Sequence, residues 1–285
     1  MVRMSRALVP LLLAVVSGCT NDRSTPNPVA PSAAVTPVAV PQQVLTGYVF
    51  DTAFRPVAGA SIEVLDGSQA GKSAASDANG RFSLAGAFST PTTVRASKEG
   101  YVSQTRTSQT SGPYGPPWVA FNLDLVATPT DIAGNYTITF VADGTCAGVP
   151  EDLRTRSYPA TIVARPGLAR ANTSYTLTAA GAHFLDGYNT IQIGVAGDYA
   201  SFAIYQGEAE GLVEETAPAT FLGLDGFGGS SLGTPPASTL SVTFAGGFEY
   251  CAVQPGTAWT QECNTATIAH VRCESKNQRL ILTRR

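Results

Sequence analysis

The chain has 285 residues, 44% of them apolar and 14% charged, with a formal net charge of −3. That apolar content is enough to bury a core and excludes wholesale disorder, the length suits about two domains, and the acidic balance argues against a nucleic-acid partner. Two histidines, and cysteines without any CxxC spacing, argue against a zinc or iron enzyme, so no catalytic, cofactor or metal site is expected.

Arg3 and Arg6 precede Ala7–Val16, an apolar run too short to cross a bilayer as a helix. This is the layout of a secretory signal peptide, read here as residues 1–18. The run ends in Val16-Ser17-Gly18-Cys19, which resembles the bacterial lipobox. The resemblance implies that the Cys19 thiol accepts a diacylglyceryl group and that cleavage makes Cys19 the new N-terminus. Several acyl chains anchor a protein far better than one. Thr20 stands where an inner-membrane lipoprotein often carries Asp, which by the same resemblance favours the outer membrane. No other run approaches the ~20 apolar residues of a membrane-crossing helix. Residues 19–42, with prolines at 26, 28, 31, 37 and 41, read as an extended tether that holds the folded part off the membrane.

Residues 43–127 alternate apolar and polar positions in short runs separated by turn residues. The pattern predicts seven strands: Leu45–Phe50, Ser61–Leu65, Lys72–Ser76, Arg81–Leu84, Thr93–Lys98, Val102–Thr107 and Val119–Leu125. Seven strands in so short a segment without an amphipathic helix fit a β-sandwich. Asp77-Ala78-Asn79-Gly80 is a hairpin signal, because Asn-Gly adopts positive φ readily. An EF-hand reading of Asp77 and Asn79 fails for want of the later ligands. Gly47-Tyr48-Val49, Pro56-Val57-Ala58-Gly59-Ala60, Asp77–Phe82 and Glu99-Gly100-Tyr101 together resemble the carboxypeptidase regulatory-like domain. That resemblance implies a transthyretin-like Greek-key sandwich, grouped with carbohydrate-binding folds and usually a non-catalytic accessory module. Tyr114 and Trp118, in the Pro-Gly stretch between the last two strands, are the candidate glycan contacts, since aromatic rings stack on the apolar faces of sugars.

Residues 131–285 predict a second all-β domain, an antiparallel barrel or sandwich of about nine strands. The candidates are Asn135–Ala142, Ser157–Arg165, Ser174–Ala180, Thr190–Val195, Tyr199–Tyr205, Ala219–Leu224, Leu240–Tyr250, Thr265–Cys273 and Arg279–Thr283. Closure removes exposed edges and favours an up-and-down barrel, filled by its own side chains or holding one small apolar ligand. The Gly- and acid-rich stretch Gly207–Gly233 reads as a solvated loop, carrying Glu208, Glu210, Glu214, Glu215 and Asp225. A carboxylate pair there would be needed for glycoside hydrolysis. Gly229-Ser230-Ser231-Leu232-Gly233 has the spacing of a nucleophile elbow, but Pro235 and Pro236 bar the helix that must follow it. With Cys19 set aside, four cysteines remain, which in an exported protein read as two disulfides. Of three pairings, Cys251–Cys263 with Cys146–Cys273 is favoured, because the first pair would brace adjacent strands around a long loop.

These readings describe a non-enzymatic, lipid-anchored cell-envelope protein with a binding or scaffolding role, carbohydrate being the foremost ligand class. A small-ligand carrier using the barrel as a cup is the alternative, and a surface hydrolase comes third.

Overall fold

The computed structural model describes residues 44–88, 91–110, 116–165, 173–204, 211–233, 237–255 and 267–285. The signal peptide, Cys19, the tether, Tyr114, Glu208, Glu210 and Cys263 lie outside the described residues. No described helix is long and apolar enough to cross a membrane.

The sandwich is built from β1 (Leu45–Asp51), β2 (Ser61–Val64), β3 (Ser73–Ala75), β4 (Arg81–Leu84), β5 (Thr93–Ser97), β6 (Gln104–Thr107), β7 (Gln109–Thr110) and β8 (Pro117–Leu123). One sheet has the order β4-β1-β8-β7, with β1 and β8 parallel, and the other β3-β2-β5-β6. All seven expected strands are present, and the two-residue β7 is an addition. Strict alternation makes the core. Leu45 and Val49 of β1, Phe82 and Leu84 of β4, and Val119, Phe121 and Leu123 of β8 meet Ile62, Val64, Val94 and Ala96 of the facing sheet. The hairpin before β4 is set by Asp77, whose Oδ1 accepts from the backbone N–H groups of Asn79 and Arg81, both at 2.8 Å. Gly80 has φ +74°, and a Cβ there would lie 2.4 Å from the Val49 carbonyl oxygen, so neither conformation nor space admits a side chain.

The second domain contains β9 (Gly134–Val141), β10 (Thr155–Ala164), β11 (Ser174–Ala179), β12 (Phe184–Ala196), β13 (Tyr199–Ile204), β14 (Gly211–Ala217), β15 (Thr220–Ser231), β16 (Thr239–Val253) and β17 (Thr267–Arg284). Each strand pairs antiparallel with its successor, except that β13 and β14 share one position between β12 and β15, each pairing a different stretch of both neighbours. The pairings of β11 with β12 and of β17 with β9 complete the ring, giving an eight-position closed barrel. Closure abolishes the open edges that a sheet of this size would otherwise expose.

The interior is packed by Ile138 and Phe140 of β9, Tyr158 and Ile162 of β10, Tyr175 and Leu177 of β11, and partners from every other strand. Phe140 and Phe244 meet edge to face at 6.2 Å. The barrel therefore follows the filled alternative. A cavity near Ile132 and Leu282 has a volume of about 30 Å³, which is room for water rather than for a ligand.

Three expectations are corrected here. The candidates Thr265–Cys273, where described from Thr267 on, and Arg279–Thr283 belong to one strand, β17. Its polar middle reads as a turn in the sequence, yet β16 pairs along it on both sides of a register shift at Phe244/Gly246. The stretch Gly207–Gly233 is no loop where it is described, since Gly211–Ala217 is β14 and Thr220–Ser231 is β15. Glu214, expected in solvent, is buried (4% exposed), paired with Arg156 and accepting from the Tyr158 hydroxyl at 2.7 Å. Burial, with the neighbouring Glu214 carboxylate, pushes the Tyr158 hydroxyl well above its ordinary range. Trp118 lies within β8, opposite Thr46 of β1, and not in a loop.

Cys146, just after β9, is disulfide-bonded to Cys273 of β17, with their Cα atoms 5.4 Å apart and a sequence separation of 127. It spans the seam where the first and last barrel strands meet. Gln278 is fully buried beside it, accepting from the Asp143 backbone N–H at 2.7 Å. Cys251 is disulfide-bonded as well.

The sandwich and the barrel belong to one compact unit. The turn after β1 docks on the β12–β13 hairpin. Asp51, 1% exposed, ties that turn by accepting from the Ala53 and Arg55 backbone N–H groups and pairing with the Arg55 side chain. Thr52 Oγ1 donates to the Val195 carbonyl at 2.6 Å, and the Arg55 guanidinium lies 4.6 Å from the centre of the Tyr199 ring. Gly194 allows the approach, since a Cβ there would sit 2.2 Å from the Thr52 carbonyl oxygen.

Candidate functional site

Period-two alternation places Leu45, Gly47 and Val49 of β1 toward the sandwich core, which sends Thr46, Tyr48 and Phe50 outward. On β8, Val119 and Phe121 face the core, and Trp118, Ala120 and Asn122 face out. The parallel register sets Trp118 beside Thr46, Ala120 beside Tyr48 and Asn122 beside Phe50. Trp118, Tyr48 and Phe50 therefore share one outward face and step along β1 over about 13 Å, the rise of four residues.

Two of these rings are substantially open, Trp118 at 37% and Tyr48 at 41% exposure. The Tyr48 and Phe50 planes are within 15° of parallel, with centroids 6.0 Å apart. Arg81 of β4 reaches over Tyr48, its guanidinium carbon 5.6 Å from the ring centre. Rigid aromatic rings on a strand, flanked by hydroxyl, amide and guanidinium groups, form a surface suited to the apolar face and the hydroxyl rim of a sugar. Of the two expected contacts, Trp118 is on this face and Tyr114 lies outside the described residues. Tyr48 and Phe50 were missed, although the alternation of Leu45–Phe50 already placed them opposite the core-facing set.

The acidic groups expected in Gly207–Gly233 do not form a site. Glu214 points into the barrel, whereas Glu215 is near the outer wall and pairs with His183 at 2.7 Å. Asp225 joins a separate outer network on β15, β16 and β17. There Arg272 pairs with Asp225 at 2.7 Å, Glu249 at 2.9 Å and Glu274, and His270 Nε2 lies 2.9 Å from Glu249. Burial acts to lower the Arg272 pKa, but hydrogen bonds and charge from Asp225 and Glu274 outweigh it and hold the guanidinium above its ordinary range. Ser231 of the elbow-like sequence ends β15 and contacts Asp198 at 3.2 Å, with neither histidine beside it among the described contacts. The described residues hold no cluster of three or more potential metal ligands.

No curated protein matches the chain. Residues 44–125, the sandwich with its aromatic face, match the family model described as Carboxypeptidase regulatory-like domain, and the match ends before the barrel.

Proposed function

We propose that the protein is a non-enzymatic binding module of the cell envelope, lipid-anchored through Cys19, that engages carbohydrate on the outer face of the β4-β1-β8-β7 sheet. The observation that carries this reading is the alignment of Trp118, Tyr48 and Phe50 on one outward face. Strand pairing fixes the backbone at all three positions, which limits the order lost on binding to the side chains. The regulatory-like match supports an accessory rather than a catalytic role.

The rival readings draw less support. A carrier needs an enclosed cavity of roughly 300 Å³ or more; the described core residues pack the barrel interior, and the space of about 920 Å³ along Asp225, Phe227 and Arg272 is an open groove. A glycosidase needs one protonated carboxyl beside one ionised carboxylate. Asp225, Glu249 and Glu274 are all ion-paired to Arg272, so they form one charge network on the wall rather than an acid and a base set across a substrate.

The test is affinity electrophoresis of the full chain through gels containing neutral or acidic polysaccharide, beside Trp118→Ala and Tyr48→Ala. Retarded wild-type protein and faster variants support the reading; equal mobility of all three in every gel refutes it. The anchor is tested separately. Cys19→Ala should abolish labelling by radioactive palmitate, and persistent labelling would move the acylation elsewhere.

A further inference from the structure

The aromatic face leads into a cleft. Asn122, beside Phe50, lines a cavity of about 280 Å³ between the sandwich and the barrel. The sandwich contributes Thr52, Phe54, Gln104 and Arg106, and the barrel side contributes Arg165, Ser174 and Gln192. The volume falls just short of the roughly 300–1,000 Å³ of small-molecule pockets, and so suits a short ligand segment.

The chemistry of this lining is one-sided. The chain as a whole is acidic, with 21 Asp and Glu against 18 Lys and Arg. The described lining nevertheless holds two arginines, three carboxamides and no carboxylate. Arg106 and Arg165 have no ion-pair partner among the described residues. Arginine presents a planar fork of donors that matches a carboxylate. Carboxamides offer donors and acceptors to hydroxyl groups.

Phe54, at the cleft, adds a third observation. Its φ is +57°, a left-handed conformation unfavourable for a residue with a Cβ. The turn tied by Asp51 holds it there, with the Phe54 N–H donating to the Asp51 carbonyl at 3.0 Å. The residue is 43% exposed. A strained, exposed aromatic residue kept at a cavity is the kind of outlier that marks a binding site.

We propose that this cleft receives a carboxylate-bearing sugar of an acidic polysaccharide whose neighbouring residues lie along Phe50, Tyr48 and Trp118. Arg106 and Arg165 hold the carboxylate, Asn122 and Gln104 serve the ring hydroxyls, and Phe54 covers an apolar face. This rests on the carbohydrate reading above and narrows it to uronate-containing chains.

The experiment is calorimetric titration of the full chain with an oligogalacturonate and with the same oligosaccharide after carboxyl reduction to its neutral form. The uronate should bind about tenfold or more tightly than the neutral chain, the loss expected when a charge-assisted pair is deleted. Arg106→Gln and Arg165→Gln should each remove most of that preference, weakening the uronate far more than the neutral chain. Trp118→Ala should weaken both ligands alike. Should either glutamine variant fail to fold, Arg106→Lys and Arg165→Lys keep the charge without the fork, and their preference should also fall.

Equal affinity for the two oligosaccharides, or a preference that survives the Arg106→Gln/Arg165→Gln double variant, overturns the cleft assignment while the carbohydrate reading stands. Absence of binding by either form overturns both. Displacement of the uronate by equimolar inorganic phosphate would make the cleft a simple anion site and sink the saccharide assignment.

Discussion

The sandwich and the barrel use the same alternating strands and dispose of their edges in opposite ways. The sandwich keeps open edges and blunts them. Three of the four edge strands are β3 with three residues, β7 with two, and the polar Gln-Thr-Arg-Thr of β6. The barrel has no edge once β9 meets β17 and Cys146 is joined to Cys273 across the seam. Closure turns Phe140, Phe202, Tyr175 and Phe244 inward, while Phe227, Val163 and Ile268 stay exposed on the barrel wall. The open sandwich leaves one sheet face free, and there aromatic residues stand outward without a structural burden. Each part has its own buried core, and the proposed ligand contact falls on the face that the open sandwich leaves uncovered.

Paired substitutions can break that division. Phe244→Ala should cost about 3–5 kcal/mol through lost packing and a residual cavity. Tyr48→Ala, at an exposed position, should stay within about 0.5 kcal/mol. Denaturant melts of both variants check this, and similar losses would make Tyr48 a structural residue. Next comes the seam. Replacing Cys146 and Cys273 with serine should cost about 2–5 kcal/mol, read from the same melts, because the bond closes a long loop in the unfolded chain.

Smaller again is the buried pair in β10 and β14. Arg156→Met leaves Glu214 buried without its cation, and a loss of about 2–3 kcal/mol is expected, the partial exposure of Arg156 placing it below a fully buried pair. Arg156→Met with Glu214→Leu should recover much of that loss. Failure of the double variant to recover would show that Tyr158 also depends on the carboxylate.

The smallest effect concerns pH at the seam. Asp143 accepts from the Thr145 backbone N–H and from the Ser275 and Thr145 hydroxyls, which lowers its pKa from 3.8 to about 2. A carboxylate depressed on folding adds stability that is fully present above its unfolded pKa and lost as pH falls through its folded one. Asp143→Asn should therefore lie slightly below wild type at neutral pH, the two curves converging as the pH falls from about 4 toward 2. A gap that persists at pH 2 would assign the loss to something other than this carboxylate.

Much of the sandwich was legible because its determinants are local. Asp77–Gly80 carries its own turn chemistry, and Leu45, Gly47 and Val49 declare their face by alternation. The same alternation put Tyr48 and Phe50 outward, but the sequence could not show that Trp118 of β8 would lie beside them. That follows from a parallel pairing of strands about seventy residues apart. In the barrel, β14 was hidden because Glu214-Glu215 reads as solvated. Glu214 turns inward only because Arg156 and Tyr158 arrive from β10 to satisfy it. The cleft was invisible in the same way, since Arg106 belongs to the sandwich strand β6 and Arg165 follows the barrel strand β10.

Sequence alone determined the all-β class, most of the strands, the Asp77–Gly80 turn and the even cysteine count after Cys19. These depend on period-two patterning and on turn residues acting within a few positions. Tertiary structure decided that the ring closes, that Cys146 meets Cys273 across 127 positions, and that the Asp51–Arg55 turn seats on the β12–β13 hairpin. Each of those outcomes sets the loop entropy of distant segments against the burial gained when they meet, a balance no local pattern encodes.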